Sequence, residues 1–129
     1  TMDKKTINSS FLDKYFFYLT FLQSHIDKND SDFKLFIKKN NNMKKVNPKM
    51  FIKTWYQYIT IPYHTYIINK DEDYFINKDY ECDSSQIAYI TNKCKCVYNK
   101  LSDEHKQQLW AHIINLSKLS TLYFQKIPI

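Results

Sequence analysis

Glycine is absent from this chain of 129 residues, and so is arginine; proline and cysteine occur three times each. The missing glycine excludes whole mechanisms. The P-loop, the dinucleotide fingerprint, the kinase Gly-rich loop, the Gly-x-Ser-x-Gly elbow and the EF-hand loop all need φ > 0 or close backbone approach. Without arginine, all 19 basic side chains are lysine, which neither reads guanine bidentately nor stacks as a guanidinium does. The odd cysteine count (Cys82, Cys94 and Cys96), with no signal peptide ahead of it, points to free thiols in a reducing, intracellular setting. No run approaches 18 consecutive apolar residues, and Phe16 to Leu22 is too short and too tyrosine-rich for a span or a signal. The chain therefore reads as soluble, with no membrane partner, and its opening Thr1-Met2 reads as one foreign residue before a start methionine.

What is present is apolar and aromatic: 43% of residues are hydrophobic and 17% aromatic, enough for one ordinary domain with a core of its own. Residues 1–129 read as that single domain. Lysine, asparagine, isoleucine, tyrosine and phenylalanine abound where alanine, valine, glycine and arginine are scarce or missing, the signature of an A/T-rich coding region. Lysine content is therefore open to two readings, mutational bias and function.

Helical periodicity dominates. Ser9-Ser10 offers a cap for a first helix to about Asp27, with Leu12, Tyr15, Phe16, Leu19, Leu22 and Ile26 on one face. Phe11, Phe17, Tyr18 and Phe21 widen that face, which makes the helix either central or the bearer of an exposed aromatic strip. Asp30-Ser31-Asp32 caps a short second helix over Phe33 to Lys39. Asn40-Asn41-Asn42 ends it, and a mobile loop is expected at about 40–47. Asn47-Pro48 signals the start of a third helix burying Phe51, Ile52, Trp55, Tyr58 and Ile59, which Pro62 should stop or kink. Tyr56 to Ile61 is the one stretch that also suits a strand. A short fourth helix, Pro62 to Asn69, turns Tyr63, Tyr66 and Ile67 inward. Lys70 to Asp83 reads as a turn-rich crossing anchored by Tyr74, Phe75 and Ile76, closed by a capping box at Asp83-Ser84-Ser85-Gln86. A fifth helix carries Ile87, Ile90, Cys94, Val97 and Tyr98 to a stop at Asn99-Lys100. Ser102, with Asp103 and Glu104 behind it, caps a last helix of about six turns through Leu109, Trp110, Ile113, Leu116, Leu119, Leu122 and Tyr123. The expected fold is all-α, a single compact bundle of five or six helices.

Charge is uneven. Residues 1–70 hold 12 lysines against five acids, residues 71–83 one lysine against six acids, and residues 84–129 six lysines against two acids. The densest basic stretch is Lys34, Lys38, Lys39, Lys44, Lys45, Lys49 and Lys53, with no acid between Phe33 and Lys53. Four-residue spacing puts Lys34 and Lys38 on one helical line, and Lys45, Lys49 and Lys53 on another along the start of the third helix. Like charges so placed repel. A polyanion such as nucleic acid would offset that repulsion, held without sequence preference because arginine is missing; Trp55 and Tyr56 stand nearby as stacking groups. The alternative is a solvated face enriched by codon bias.

Other constellations do not assemble into chemistry. Asp71, Glu72, Asp73, Asp79, Glu81 and Asp83 lack the glycine and the bidentate glutamate of a calcium loop, and read as helix caps and partners of lysine. On a helix, Cys94 and Cys96 point about 200° apart, so with His105 and His112 they do not converge on one zinc. His25 and His64 stand alone in the sequence. No metal, no cofactor and no catalytic residue is expected, and the chain reads as not an enzyme.

The run Pro62-Tyr63, Tyr66, Ile67, Asp73-Tyr74-Phe75 and Lys78-Asp79-Tyr80 is followed by Leu101-Ser102, Lys106, Leu109-Trp110, Ile113, Leu116 and Leu119-Ser120. Over about residues 46–124 this pattern resembles small helical proteins of nucleocytoplasmic large DNA viruses, mimivirus-like ones especially. The resemblance implies a viral, helical family with no catalytic residues to carry over. It also implies a place in the host cytoplasm, the viral replication compartment or the virion.

The surplus of aromatics and the separated charges then suggest a non-enzymatic module that docks on a viral or host protein. Phe17, Tyr18 and Phe21, or Tyr74, Phe75 and Tyr80, are its candidate contacts. The alternative is nucleic-acid binding on the Lys34–Lys53 surface, and a third class is self-assembly into a homo-oligomeric scaffold.

Overall fold

The computed structural model describes residues 3–80 and 85–125, and every regular element among them is helical. The first helix, α1 (Lys4–His25), begins earlier than the serine pair suggests, because Asp3 is the N-cap and its carboxylate accepts the Thr6 N–H at 2.8 Å. Ser9 and Ser10 lie inside the helix. After α2 (Ser31–Val46) comes α3 (Met50–Trp55), a five-residue π turn (Tyr56–Thr60) and α4 (Ile61–Ile68), which follow one another without a break. Short α5 (Glu72–Asn77), α6 (Ser85–Tyr98) and α7 (Asp103–Phe124) complete the described residues. Counting α3 through α4 as one body gives six helical bodies in an all-α bundle, as expected from sequence.

Pro62 neither stops nor sharply ends the third helix. Proline removes one N–H and its ring clashes with the carbonyl four residues back. Here the turn before it widens: the Ile61 N–H reaches Tyr56 O, five residues back, and α4 continues. Tyr56 to Ile61 is therefore helical and not extended. Side-chain hydroxyls tie this segment to α7. Thr60 Oγ1 and Ser120 Oγ are 2.6 Å apart, Ser120 Oγ donates to Ser117 O, and Trp55 Nε1 donates to Ser117 Oγ at 3.1 Å.

The α4–α5 junction shows how the chain reverses without glycine. Lys70 takes φ = 50°, its N–H bonds Ile67 O, and the Asp71 N–H bonds Tyr66 O at 2.9 Å. That pair of bonds is a Schellman motif with lysine at the left-handed position, which glycine normally fills. Asp71 then caps α5 through the Tyr74 N–H, with Glu72 and Asp73 in the first turn, so these acids serve as cap and dipole partners. Ser102 caps α7 through the His105 N–H, as the sequence indicates. The Asp83–Gln86 capping box lies outside the described residues except for its end in α6.

α1 and α7 form the most extensive helix pair, running antiparallel: Lys4 sits over the Tyr123 ring at one end, and His25 faces His105 at the other. α1 is central. It buries Ile7, Phe11, Tyr15, Tyr18 and Leu22 at spacings of three and four, and packs against α3 and α6 as well. Its buried tyrosines keep their hydroxyls bonded, Tyr18 to Cys94 Sγ at 2.9 Å and Tyr15 to Asn40 Oδ1 at 3.0 Å. Trp110 Nε1 likewise donates to the Tyr98 hydroxyl at 3.0 Å. Leu122, expected inward on α7, is exposed, and so is Tyr66 on α4.

Candidate nucleic-acid interface

Asp30 starts α2 by accepting the Phe33 N–H at 3.0 Å, and its other oxygen takes the Lys93 ammonium. That lysine contact, with the Phe33 N–H behind it, lowers the carboxyl below the usual carboxylate range. The helix then runs straight through Asn40-Asn41-Asn42 to Val46, in place of the stop and the loop expected at 40–47. The reason is the placement of one side chain. Asn40 is buried; its Nδ2 donates to Phe36 O at 2.7 Å, while its Oδ1 accepts from the Tyr15 hydroxyl and from Gln86 Nε2 at 3.1 Å. An asparagine engaged this way no longer competes for its own backbone, which is how asparagine ordinarily breaks helices.

α2 is peripheral. Phe33 and Asn40 are its only buried residues, and Phe36 and Ile37 pack partly against the core. Its attachment runs through side chains: Asn40 to α1 and α6, Phe36 against Tyr89 with ring centroids 4.7 Å apart, and the Lys93–Asp30 ion pair. At 100° per residue, Lys34, Lys38 and Lys45 fall within about 40° of one another on the side away from Phe33 and Asn40. All three are exposed, with Asn41 and Asn42 alongside. The row spans about 16 Å.

The remaining lysines take different places. Lys39 is exposed about 100° further round α2. Lys44 folds back over the Phe16 ring at 4.9 Å, and so belongs to the contact with α1. Lys45 ends α2, Lys49 stands in the turn after Pro48, and Lys53 is on α3, so these three do not form one helical line. The Asn47-Pro48 signal marks this turn; α3 starts two residues after Pro48 and has no side-chain cap. Among the described residues, ion pairs form at Lys93–Asp30 and Lys106–Glu72, and none of the seven lysines takes part. The stacking groups named beside them are elsewhere: Trp55 is buried, and Tyr56 stacks on Phe124 at 4.6 Å.

The six aromatic docking candidates separate. Tyr18, Phe75 and Tyr80 are buried and cannot meet a partner. Tyr18 lies on the same stripe as Phe11, Tyr15 and Leu22, and Tyr80 satisfies its hydroxyl on Phe75 O at 3.1 Å, so both rings enter the core with their polar atoms bonded. Tyr74 is half-buried, stacked face to face on Tyr66 with centroids 3.6 Å apart. Phe17 alone is fully presented, 66% exposed. With half-buried Phe21 it borders a cleft of about 560 Å³ between α1 and α7, whose other wall includes His112 and Ala111.

Histidines that stand alone in the sequence meet in space: His25 and His105 rings lie 4.6 Å apart, with Phe21 beside both. Burial first, and the facing His105 second, lower the His25 pKa. His112 is lowered by burial and then by Lys14. The Cys94 thiol is pushed up to about 12 by burial, which keeps it protonated and bonded to Tyr18. Cys96 is exposed, and Cys82 lies outside the described residues. No group of three or more histidine, cysteine or acidic side chains among the described residues is placed to hold a metal ion. No helix among them is long and apolar enough to cross a membrane.

No family model, curated protein or solved structure matches the chain. The reading of the site therefore rests on its own geometry. Sequence reasoning missed two parts of it, the Tyr15–Asn40–Gln86 clasp and the continuation of the lysine line to Lys45. The second followed from the first, since the line exists only if the helix passes Asn40.

Proposed function

We propose that the protein is a non-enzymatic binding module that holds a nucleic-acid backbone, irrespective of sequence, on the lysines of α2 and of the turn into α3. One observation carries the reading: Lys34, Lys38 and Lys45 form an exposed row on a peripheral helix, and none of them has an acidic partner among the described residues. Neighbouring like charges on a helix each cost a few tenths of a kcal/mol, and a row of phosphates reverses that sign while releasing condensed counterions. Lysine suits this task as a point charge on a flexible stem and specifies no base. The viral source implied by the sequence resemblance would set this binding in the host cytoplasm or a replication compartment.

The test is titration of a labelled mixed-sequence oligonucleotide at about 50 mM salt, where phosphate contacts are strong. Wild type should bind, and Lys34→Glu/Lys38→Glu/Lys45→Glu should not. Absence of binding by wild type, or an unaffected triple variant, overturns the reading.

The exposure of Phe17 favours a second reading, docking of a protein helix in the α1–α7 cleft. Affinity capture from infected cells, after nuclease treatment, should then retain a partner that Phe17→Lys loses.

A further inference from the structure

A second cleft, of about 340 Å³, opens between α2 and α6. Phe36 and Met43 of α2, Met50 of α3 and Tyr89 of α6 give it apolar walls, and Asn40, Gln86 and Lys39 add polar groups. Two facts set it apart from ordinary packing. The Phe36 and Tyr89 rings lie 4.7 Å apart at 35°, both only partly buried. The Tyr89 hydroxyl is buried and has no hydrogen-bond partner among the described residues. A buried hydroxyl left unpaired costs free energy that a bound polar group would recover.

We propose that this cleft takes one unstacked base of a single-stranded nucleic acid. The proposal rests on the backbone-binding reading above and names the strand form that the same surface prefers. Charge complementarity selects the occupant. Lys39 lies on the cleft wall, on the side of α2 that leads round to the Lys34–Lys38–Lys45 row, and no acid lines the cleft. A strand whose phosphates meet that row crosses the exposed side of α2 past Asn42 and Lys39, and its next base reaches the aromatic walls. Every base has a π face to lay against such walls and an edge of donors and acceptors for the Tyr89 hydroxyl, so the pocket needs no particular base. Bases paired inside a duplex cannot enter. A duplex is confined to the lysine row.

Anisotropy titrations at fixed low salt with three probes test this: a single-stranded oligonucleotide, the same length carrying abasic sites, and the duplex. Wild type should favour the single strand over both others by roughly 5- to 100-fold, the range that base stacking on an aromatic side chain supplies. Tyr89→Leu should bring single-strand affinity down to the abasic level and leave duplex binding unchanged. Tyr89→Phe keeps the ring and removes only the unpaired hydroxyl, so it should melt no lower than wild type while losing about 2- to 10-fold on the single strand. Equal binding of all three probes by wild type overturns the pocket and leaves the lysine row standing. So does a Tyr89→Phe protein with unchanged single-strand affinity. Failure of every probe to bind overturns the row and the pocket together.

Discussion

The lysine surface makes a quantitative statement about salt. Lys34, Lys38, Lys39, Lys45 and Lys49 are exposed along α2 and the turn after it, and none has an acidic partner among the described residues. If these five each neutralise one phosphate, log affinity falls with log salt at a slope of about −3.5 on a single strand and about −4.5 on duplex DNA. Raising salt from about 50 to 200 mM then weakens single-strand binding roughly 100-fold and duplex binding roughly 500-fold. Replacing the row by Lys34→Gln/Lys38→Gln/Lys45→Gln leaves about two contacts and a single-strand slope near −1.4, a loss of only about sevenfold over the same range. Glutamine keeps the helix-forming chain length, so α2 itself should persist. The assay is a set of anisotropy titrations at four salt concentrations for both proteins, with helix content checked by circular dichroism. A flat wild-type salt response refutes the reasoning, as does a triple variant with the wild-type slope, because either result places the bound phosphates elsewhere.

Three further outcomes follow from local geometry. Asn40→Ala removes the shared acceptor of Tyr15 and Gln86 and should cost about 1–3 kcal/mol in urea unfolding; a change within a few tenths of wild type would show that the clasp does not hold α2. Lys70→Gly relieves a left-handed lysine and should raise stability by up to about 1 kcal/mol, whereas Lys70→Ala should give no gain, both read by thermal melting. His25 and His112 both have lowered folded-state pKa values, so the unfolded chain takes up their protons more readily. Their contribution is complete above the unfolded value near 6.5 and is lost as pH falls through it toward the folded values. Melting temperature should therefore drop between about pH 7 and 5, and His25→Gln/His112→Asn should flatten that slope; the Asp30 carboxylate, lowered from a much more acidic value, acts only at still lower pH.

Much of the fold was legible because its signals are local. The caps at Asp30 and Ser102 lie where a short polar side chain precedes an apolar period, and the buried stripe of α7 follows from spacing alone. What escaped depends on partners far along the chain. Asn40 looks like a helix stop until Tyr15, 25 residues earlier, and Gln86, 46 residues later, take up its amide. Ser9-Ser10 misleads because Asp3 already satisfies the first turn from further upstream. Tyr18, Phe75 and Tyr80 read as surplus aromatics because nothing in their spacing reveals that Cys94 and the Phe75 carbonyl accommodate the tyrosine hydroxyls inside. The lysine cluster was visible in composition, but which members share a side of α2 was set by whether that helix continues.

The wide turn at Tyr56–Thr60 has a consequence for how this chain can change length. One extra residue per turn is equivalent to an insertion into a regular helix, and it rotates everything downstream by about 100°. Tyr63 and Ile67 face the interior because of that offset. Losing a single codon from this stretch would restore regular winding and swing both side chains into water, while α3 upstream kept its seat. The segment therefore acts as a reading frame for the protein's interior: substitutions are negotiable there, but the number of residues is not.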